Sequence, residues 1–202
     1  MRMTASLAIG LLVLMHASAT PPPAGTTDGS TTLQPSPASP PDSTLVLDFT
    51  RPDAAVGLRS IDDVVMGGVS ASRTSLRDGA LRFEGVVSLE RGGGFASCRG
   101  PVTLPSGTRA LLVELRGDGK RYRLTLKDPD DNGGPQHQAS FTAPPDWTTM
   151  RFEARDFQAS FRGRPVAMPP PDLEHQRAIG LLIADRQAGP FHLEIRRVWA
   201  QR

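Results

Sequence analysis

From Leu45 onward, apolar side chains return at every second position, the period of an extended strand with one buried and one wet face. Leu45, Leu47 and Phe49 fall on one side, as do Leu81, Phe83, Val87 and Leu89, with Arg82, Glu84, Ser88 and Glu90 opposite. Leu111, Val113 and Leu115 repeat the pattern, and Tyr122, Leu124 and Leu126 alternate with Arg121, Arg123, Thr125 and Lys127. Met150 and Phe152 follow, then Ile179, Leu181 and Ile183, then Phe191, Leu193 and Ile195. Between the runs stand Arg77-Asp78-Gly79, Gly117-Asp118-Gly119, Asn132-Gly133-Gly134 and Ala188-Gly189-Pro190, which suit tight or positive-φ turns. Helical spacing is never sustained for a dozen residues without Gly or Pro, and Asp172 to Gln176 predicts a single turn. The pattern predicts an all-β, two-sheet sandwich of the jelly-roll type, with an up-and-down barrel as the competing closure.

Residues ahead of this region are of another kind. Arg2, the apolar stretch Leu7 to Leu14 and Ala17-Ser18-Ala19 read as a secretory leader over residues 1–19, too short in its apolar part to serve comfortably as a membrane span. Residues 20–43 are rich in Pro, Ser and Thr and poor in large apolar side chains, so burial cannot offset chain entropy there. They predict a disordered tether before one folded domain at 44–202, delivered to the periplasm or the medium.

A formal charge of +2 gives no field that demands a polyanion, which disfavours nucleic acid. Cys98 is the single cysteine, so an internal disulfide is excluded, and Phe95-Ala96-Ser97-Cys98 places it as a small buried strand residue. His137, His175 and His192 lack the short spacings of zinc motifs. His192, beside Phe191 and Leu193, is expected to face solvent. Asp128, Asp130, Asn132 and Gly133 match the opening of a calcium loop, but Ala139 stands where the bidentate glutamate belongs. No metal and no cofactor is therefore expected.

Asp62-Asp63 is the obvious carboxylate pair, although neighbours on an extended chain point to opposite faces. The glycines of Val64-Val65-Met66-Gly67-Gly68-Val69-Ser70 allow close backbone approach, so the segment suits either a ligand site or a capped, bulged turn. Gly92-Gly93-Gly94 opens no helix and is read as a place where the following strand bends or packs closely. Aromatics form only 5% of the chain, and Trp147 and Trp199 are assigned to core packing beside strands.

Taken in order, these motifs resemble the complex I intermediate-associated protein 30 family. The resemblance rests on Asp62 to Ser70, Gly93-Gly94-Phe95-Ala96-Ser97 and Gly117-Asp118-Gly119-Lys120-Arg121-Tyr122. It continues through Trp147, Phe157, Phe161-Arg162-Gly163-Arg164 and Gly180 to Phe191. It implies a galactose-binding-like jelly roll and a non-catalytic role, in mitochondria as an assembly factor of respiratory complex I. For an exported chain the corresponding expectation is an assembly or chaperone-like factor at the cell envelope, with a protein or membrane-associated complex as partner. A carbohydrate-binding module is the alternative. The candidate binding residues within the shared motifs are Asp62, Asp63, Met66, Gly67, Gly68, Ser70, Asp118, Arg121, Arg162, Arg164 and Asp185, whose carboxylates and guanidinium forks supply oriented hydrogen bonds. The same charges could instead tie loops together. A third reading, a periplasmic glycan hydrolase, would use Asp62 or Asp63 with a distant acid such as Glu90.

Overall fold

The computed structural model describes residues 40–51, 53, 57–128 and 133–202. The chain divides into the units Met1–Pro37 and Ala38–Arg202, and every described residue lies in the second. The leader, most of the tether, and Asp130 and Asn132 of the calcium-like loop lie outside the described residues. Strand structure begins at the tether's predicted last residue, and the Asp42 carbonyl accepts the Arg202 N–H at 3.2 Å, so the fold takes hold slightly earlier than the composition suggests.

The strands follow in chain order as β1 (Ser43–Asp48), β2 (Arg59–Ser60), β3 (Ala71–Arg77), β4 (Ala80–Val87), β5 (Ala96–Pro101), β6 (Ala110–Gly117) and β7 (Arg121–Lys127). Then come β8 (Gln136–Thr142), β9 (Thr148–Glu153), β10 (Gln158–Phe161), β11 (Arg164–Pro165), β12 (Ala178–Ile183) and β13 (Gly189–Gln201). One sheet runs β3-β4-β13-β6-β9, with β1 added to the far half of β13. The other runs β11-β10-β8-β7-β12-β5-β2. All pairings are antiparallel, which makes the all-β jelly-roll sandwich that the alternation predicts.

The inward residues of both sheets form a single core that includes Phe83, Leu115, Tyr122, Leu124, Ile183 and Leu193. Phe83, Tyr122 and Phe141 meet around Phe191 and Phe152 at ring spacings of 5.0 to 6.4 Å, suited to tilted and edge contacts. The alternation breaks in β13, where a shift between Ile195 and Arg197 moves the inward set to Val198 and Ala200, and in β1. A register shift against β13 between Leu45 and Leu47 turns Leu45 outward, so it is 42% exposed and does not share a face with Leu47. The predicted turn at Asp172 to Gln176 is a 3₁₀ turn over Leu173–His175, capped by the Asp172 carboxylate.

Candidate functional site

Asp62 and Asp63 are separated by the extended backbone into two different jobs. Asp63 is fully buried, and its Oδ2 accepts the Ser70 hydroxyl at 2.6 Å and the N–H groups of Gly94 at 2.7 Å and Phe95 at 3.2 Å. Its Oδ1 accepts the Ser70 N–H at 2.9 Å. Burial alone would raise its pKa, but these four donors outweigh that and hold the carboxyl below its ordinary value. Asp62 turns the other way to accept the Ser72 hydroxyl at 2.6 Å and the N–H groups of Ser72 at 2.8 Å and Ser97 at 3.3 Å. The pair therefore bolts the segment between β2 and β3 onto β3 and β5. The glycines make room for it: a Cβ on Gly68 would lie 2.3 Å from Asp63 Oδ1, and one on Gly93 would lie 2.6 Å from Oδ2.

What the bolt presents is the 3₁₀ turn Asp63–Met66. Val64, Val65 and Met66 are 61%, 72% and 66% exposed there, an apolar knuckle over a fully hydrogen-bonded base.

The open faces of the two sheets differ in their charge chemistry. On the six-stranded sheet the charges neutralise one another. Arg73 and Arg82 share Glu84, Arg82 and Arg116 share Glu194, and Arg196 and Arg197 share Glu114. Trp147 lies between Arg116 and Arg196, with the guanidinium carbons 4.7 and 3.9 Å from its ring centre, so it caps this ladder and is not a core residue. Trp199 is buried, as expected, with its indole N–H unpaired.

On the seven-stranded sheet, register places Arg59, Arg99, Gly180, Thr125, Gln138 and Gln158 in one row across β2, β5, β12, β7, β8 and β10. A parallel row holds Ser97, Leu182, Arg123 and Ser140. The Arg99 guanidinium hydrogen-bonds to Gln136 on β8, which takes it across two intervening strands, about 14 Å at ordinary strand spacing. Gly180 lets β5 and Thr125 approach closely here. A Cβ there would stand 2.3 Å from the Cys98 carbonyl and 2.7 Å from Thr125 Oγ1. Thr125 is only 3% exposed although it belongs to the outward face, and no hydrogen-bond partner meets its hydroxyl among the described residues. Arg123 donates to Gln138 at 2.9 Å and pairs with Asp185, which also takes Arg121 at 3.1 Å. Arg99 has no carboxylate partner among the described residues, and burial pulls its pKa below the ordinary value.

The structure scatters the remaining predicted residues. Asp118 closes the turn between β6 and β7, accepting the Tyr122 hydroxyl at 3.0 Å and the N–H groups of Lys120 and His192, both at 3.1 Å. Arg162, with its guanidinium 5.2 Å from the Phe161 ring centre, and exposed Arg164 sit at the β11 edge, the opposite edge from Asp62 and Asp63. Asp63, Gly68 and Ser70 are buried inside the bolt, while Met66 and Gly67 stand on its exposed turn. Only Arg121 and Asp185 adjoin the polar rows. The residues missed from the sequence are Arg59, Arg99, Thr125, Gln136, Gln138 and Gly180. The polar outward line of β7 was the available signal, but nothing local says which strands lie beside it.

Cys98 faces the core, 1% exposed, with its thiol pushed up to about 12 by burial, as its apolar neighbours predict. His192 is exposed. Among the described residues Asp172, Glu174 and His175 converge, and each acid has a structural task. Asp172 accepts the Glu174 N–H and pairs with His175, while Glu174 accepts the Gly107 N–H at 2.7 Å and the Ser106 hydroxyl at 3.0 Å. Among the described residues no helix is long and apolar enough to cross a membrane.

Residues 47–195 match the family model described as Complex I intermediate-associated protein 30. Among solved structures, a family 11 carbohydrate-binding module from Clostridium thermocellum, in complex with a β-1,3-1,4-mixed-linked tetrasaccharide, superposes with a TM-score of 0.59 at 14% identity. The family 11 module of the cellulosomal cellulase Lic26A-Cel5E of Clostridium thermocellum gives 0.61, also at 14% identity. Both alignments cover 79% of this chain and 95% of the other. The likeness is one of fold. Comparison with curated proteins gave no match.

Proposed function

The chain belongs to the complex I intermediate-associated protein 30 family, and on that premise we propose that it is a non-catalytic module that binds a glycan on the open face of its seven-stranded sheet. The observation that carries this reading is the polar row that register builds across the sheet, Arg59, Arg99, Thr125, Gln138 and Gln158, in which Arg99 has no carboxylate partner among the described residues. A partly desolvated guanidinium without a counter-charge is costly unless something supplies one. The row that contains it crosses six strands, about 24 Å at ordinary spacing, long enough for an extended oligosaccharide. A family 11 module with a bound tetrasaccharide shares the sandwich and adds support. Catalysis has no comparable footing. The Asp63 carboxylate is occupied by four donors and stays ionised, which suits neither a general acid nor an accessible nucleophile. Screening the full chain on a glycan array tests the reading: capture should be lost with Gln138→Ala and kept with Val65→Ser, and an array without a hit ends it.

A second reading is favoured by a different observation. The exposed Val64-Val65-Met66 knuckle, held on a rigid base, suits an assembly factor that docks on a protein at the cell envelope. A photo-crosslinker at Met66 in envelope extract should then trap one defined protein, and diffuse labelling sinks this second role.

A further inference from the structure

We propose that the glycan recognised on this face is acidic, and that a sugar carboxylate pairs with Arg99 beside Thr125 and Gln138. The inference rests on the glycan reading and adds its chemical class. Stacking on aromatic rings is the usual source of affinity for neutral sugars, because ring faces offer area for C–H contacts. Among the described residues no aromatic side chain stands on the rows of this face: Tyr122 and Phe141 point into the core, Trp147 belongs to the other sheet, and the exposed Phe161 lies off both rows at the β10–β11 edge under Arg162. Hydrogen bonds and charge must then supply the affinity.

The charges are arranged for that. Arg121 and Arg123 are satisfied by Asp185, and the arginines across the other sheet are matched to Glu84, Glu194 and Glu114. Within the row Arg59 lacks a carboxylate too, but Arg99 is the one drawn out of water. It is partly desolvated, held only by the neutral amide of Gln136, and paired in register with a second cation, Arg59. Desolvation and a like-charged neighbour both disfavour an unpaired guanidinium, and an incoming carboxylate relieves both while matching the planar fork. Beside it, Gly180 puts no side chain on the row, and the Thr125 hydroxyl stands 2.7 Å from where its Cβ would be. The Gln138 amide nitrogen, free while its oxygen accepts from Arg123, is a third donor in the same row. Three donors without a carboxylate in one row describe an anion subsite on a face that is otherwise hydrogen-bonding.

Calorimetry with the full chain tests this, using galacturonate and galactose oligomers of equal length. Thermal melts confirm that each variant is folded. The galacturonate oligomer should bind roughly tenfold or more tightly than the galactose oligomer, and the difference should shrink as salt is raised. Arg99→Gln should abolish that preference, Thr125→Val should weaken galacturonate binding, and Arg73→Ala on the opposite sheet should change neither. Equal binding of the two oligomers, unaltered by Arg99→Gln, overturns the acidic specificity and leaves the glycan reading standing. Binding of neither oligomer, together with an empty glycan array, overturns both. Binding of an acidic peptide in place of either sugar overturns the sugar class.

Discussion

Asp63 shows how much one buried carboxylate organises. Its two oxygens collect donors from Ser70, Gly94 and Phe95, so an amide at that position could satisfy only part of the set and would turn an N–H₂ toward existing donors. Asp63→Asn should cost about 2–4 kcal/mol by urea denaturation at pH 7. The pH dependence follows from the sign of the shift. Because the folded pKa lies below the unfolded value of about 3.9, the contribution is fully present above that value and is lost as pH falls through the folded pKa. The wild-type denaturation midpoint should therefore drop on acidification below about pH 4, and the Asn variant should lose part of that drop; identical profiles for the two proteins would refute this. In the sequence the Asp-Asp pair and its glycines stood out, and a structural tie was one of two readings left open. The role was hidden because two of the four donors lie 31 and 32 residues away, where local spacing carries no information.

At the scale of the element, alternation was a reliable guide wherever a strand was uninterrupted. Tyr122, Leu124 and Leu126 point inward from β7, and Ile179, Leu181 and Ile183 from β12, as the period of two requires. It misled in β1, since a bulge adds one residue to one strand and reverses every side chain on one side of it. Bulges leave no mark in a hydrophobic pattern. The shift between Leu45 and Leu47 makes a sharp distinction between side chains that the sequence treats alike. Leu45→Ser should change stability by less than about 0.5 kcal/mol. Leu47→Ser, which removes a side chain packed against the core, should cost about 1–3 kcal/mol. Equal losses in chemical denaturation would mean that β1 pairs with β13 without the shift. Trp147 escaped for a related reason: an aromatic next to a strand reads as core, and its two arginine neighbours come from β6 and β13, which no short window connects to it.

Across the whole molecule, the sandwich places two large polar faces back to back, and their chemistry divides stability from binding. On the six-stranded sheet Glu194 is nearly buried between Arg82 and Arg116, so neutralising it leaves Arg116 without its carboxylate and Arg82 with Glu84 alone. Removing one partner of such a set is costly, and Glu194→Gln should lower stability by about 1–3 kcal/mol without altering ligand capture. On the seven-stranded sheet the balance is reversed, because Arg99 gives up hydration without gaining a carboxylate. Arg99→Gln should leave the melting temperature unchanged or raise it while capture is lost, the trade expected where a site holds an interaction open for its ligand. The opposite result, a large fall in melting temperature for Arg99→Gln with capture intact, would make Arg99 a structural tie and move the binding surface elsewhere. The fold class could be read from periodicity because each strand reports its own buried side. Arg59, Arg99, Thr125, Gln138 and Gly180 become neighbours only when five strands adopt one register, and that register is fixed by the packing of the complete core.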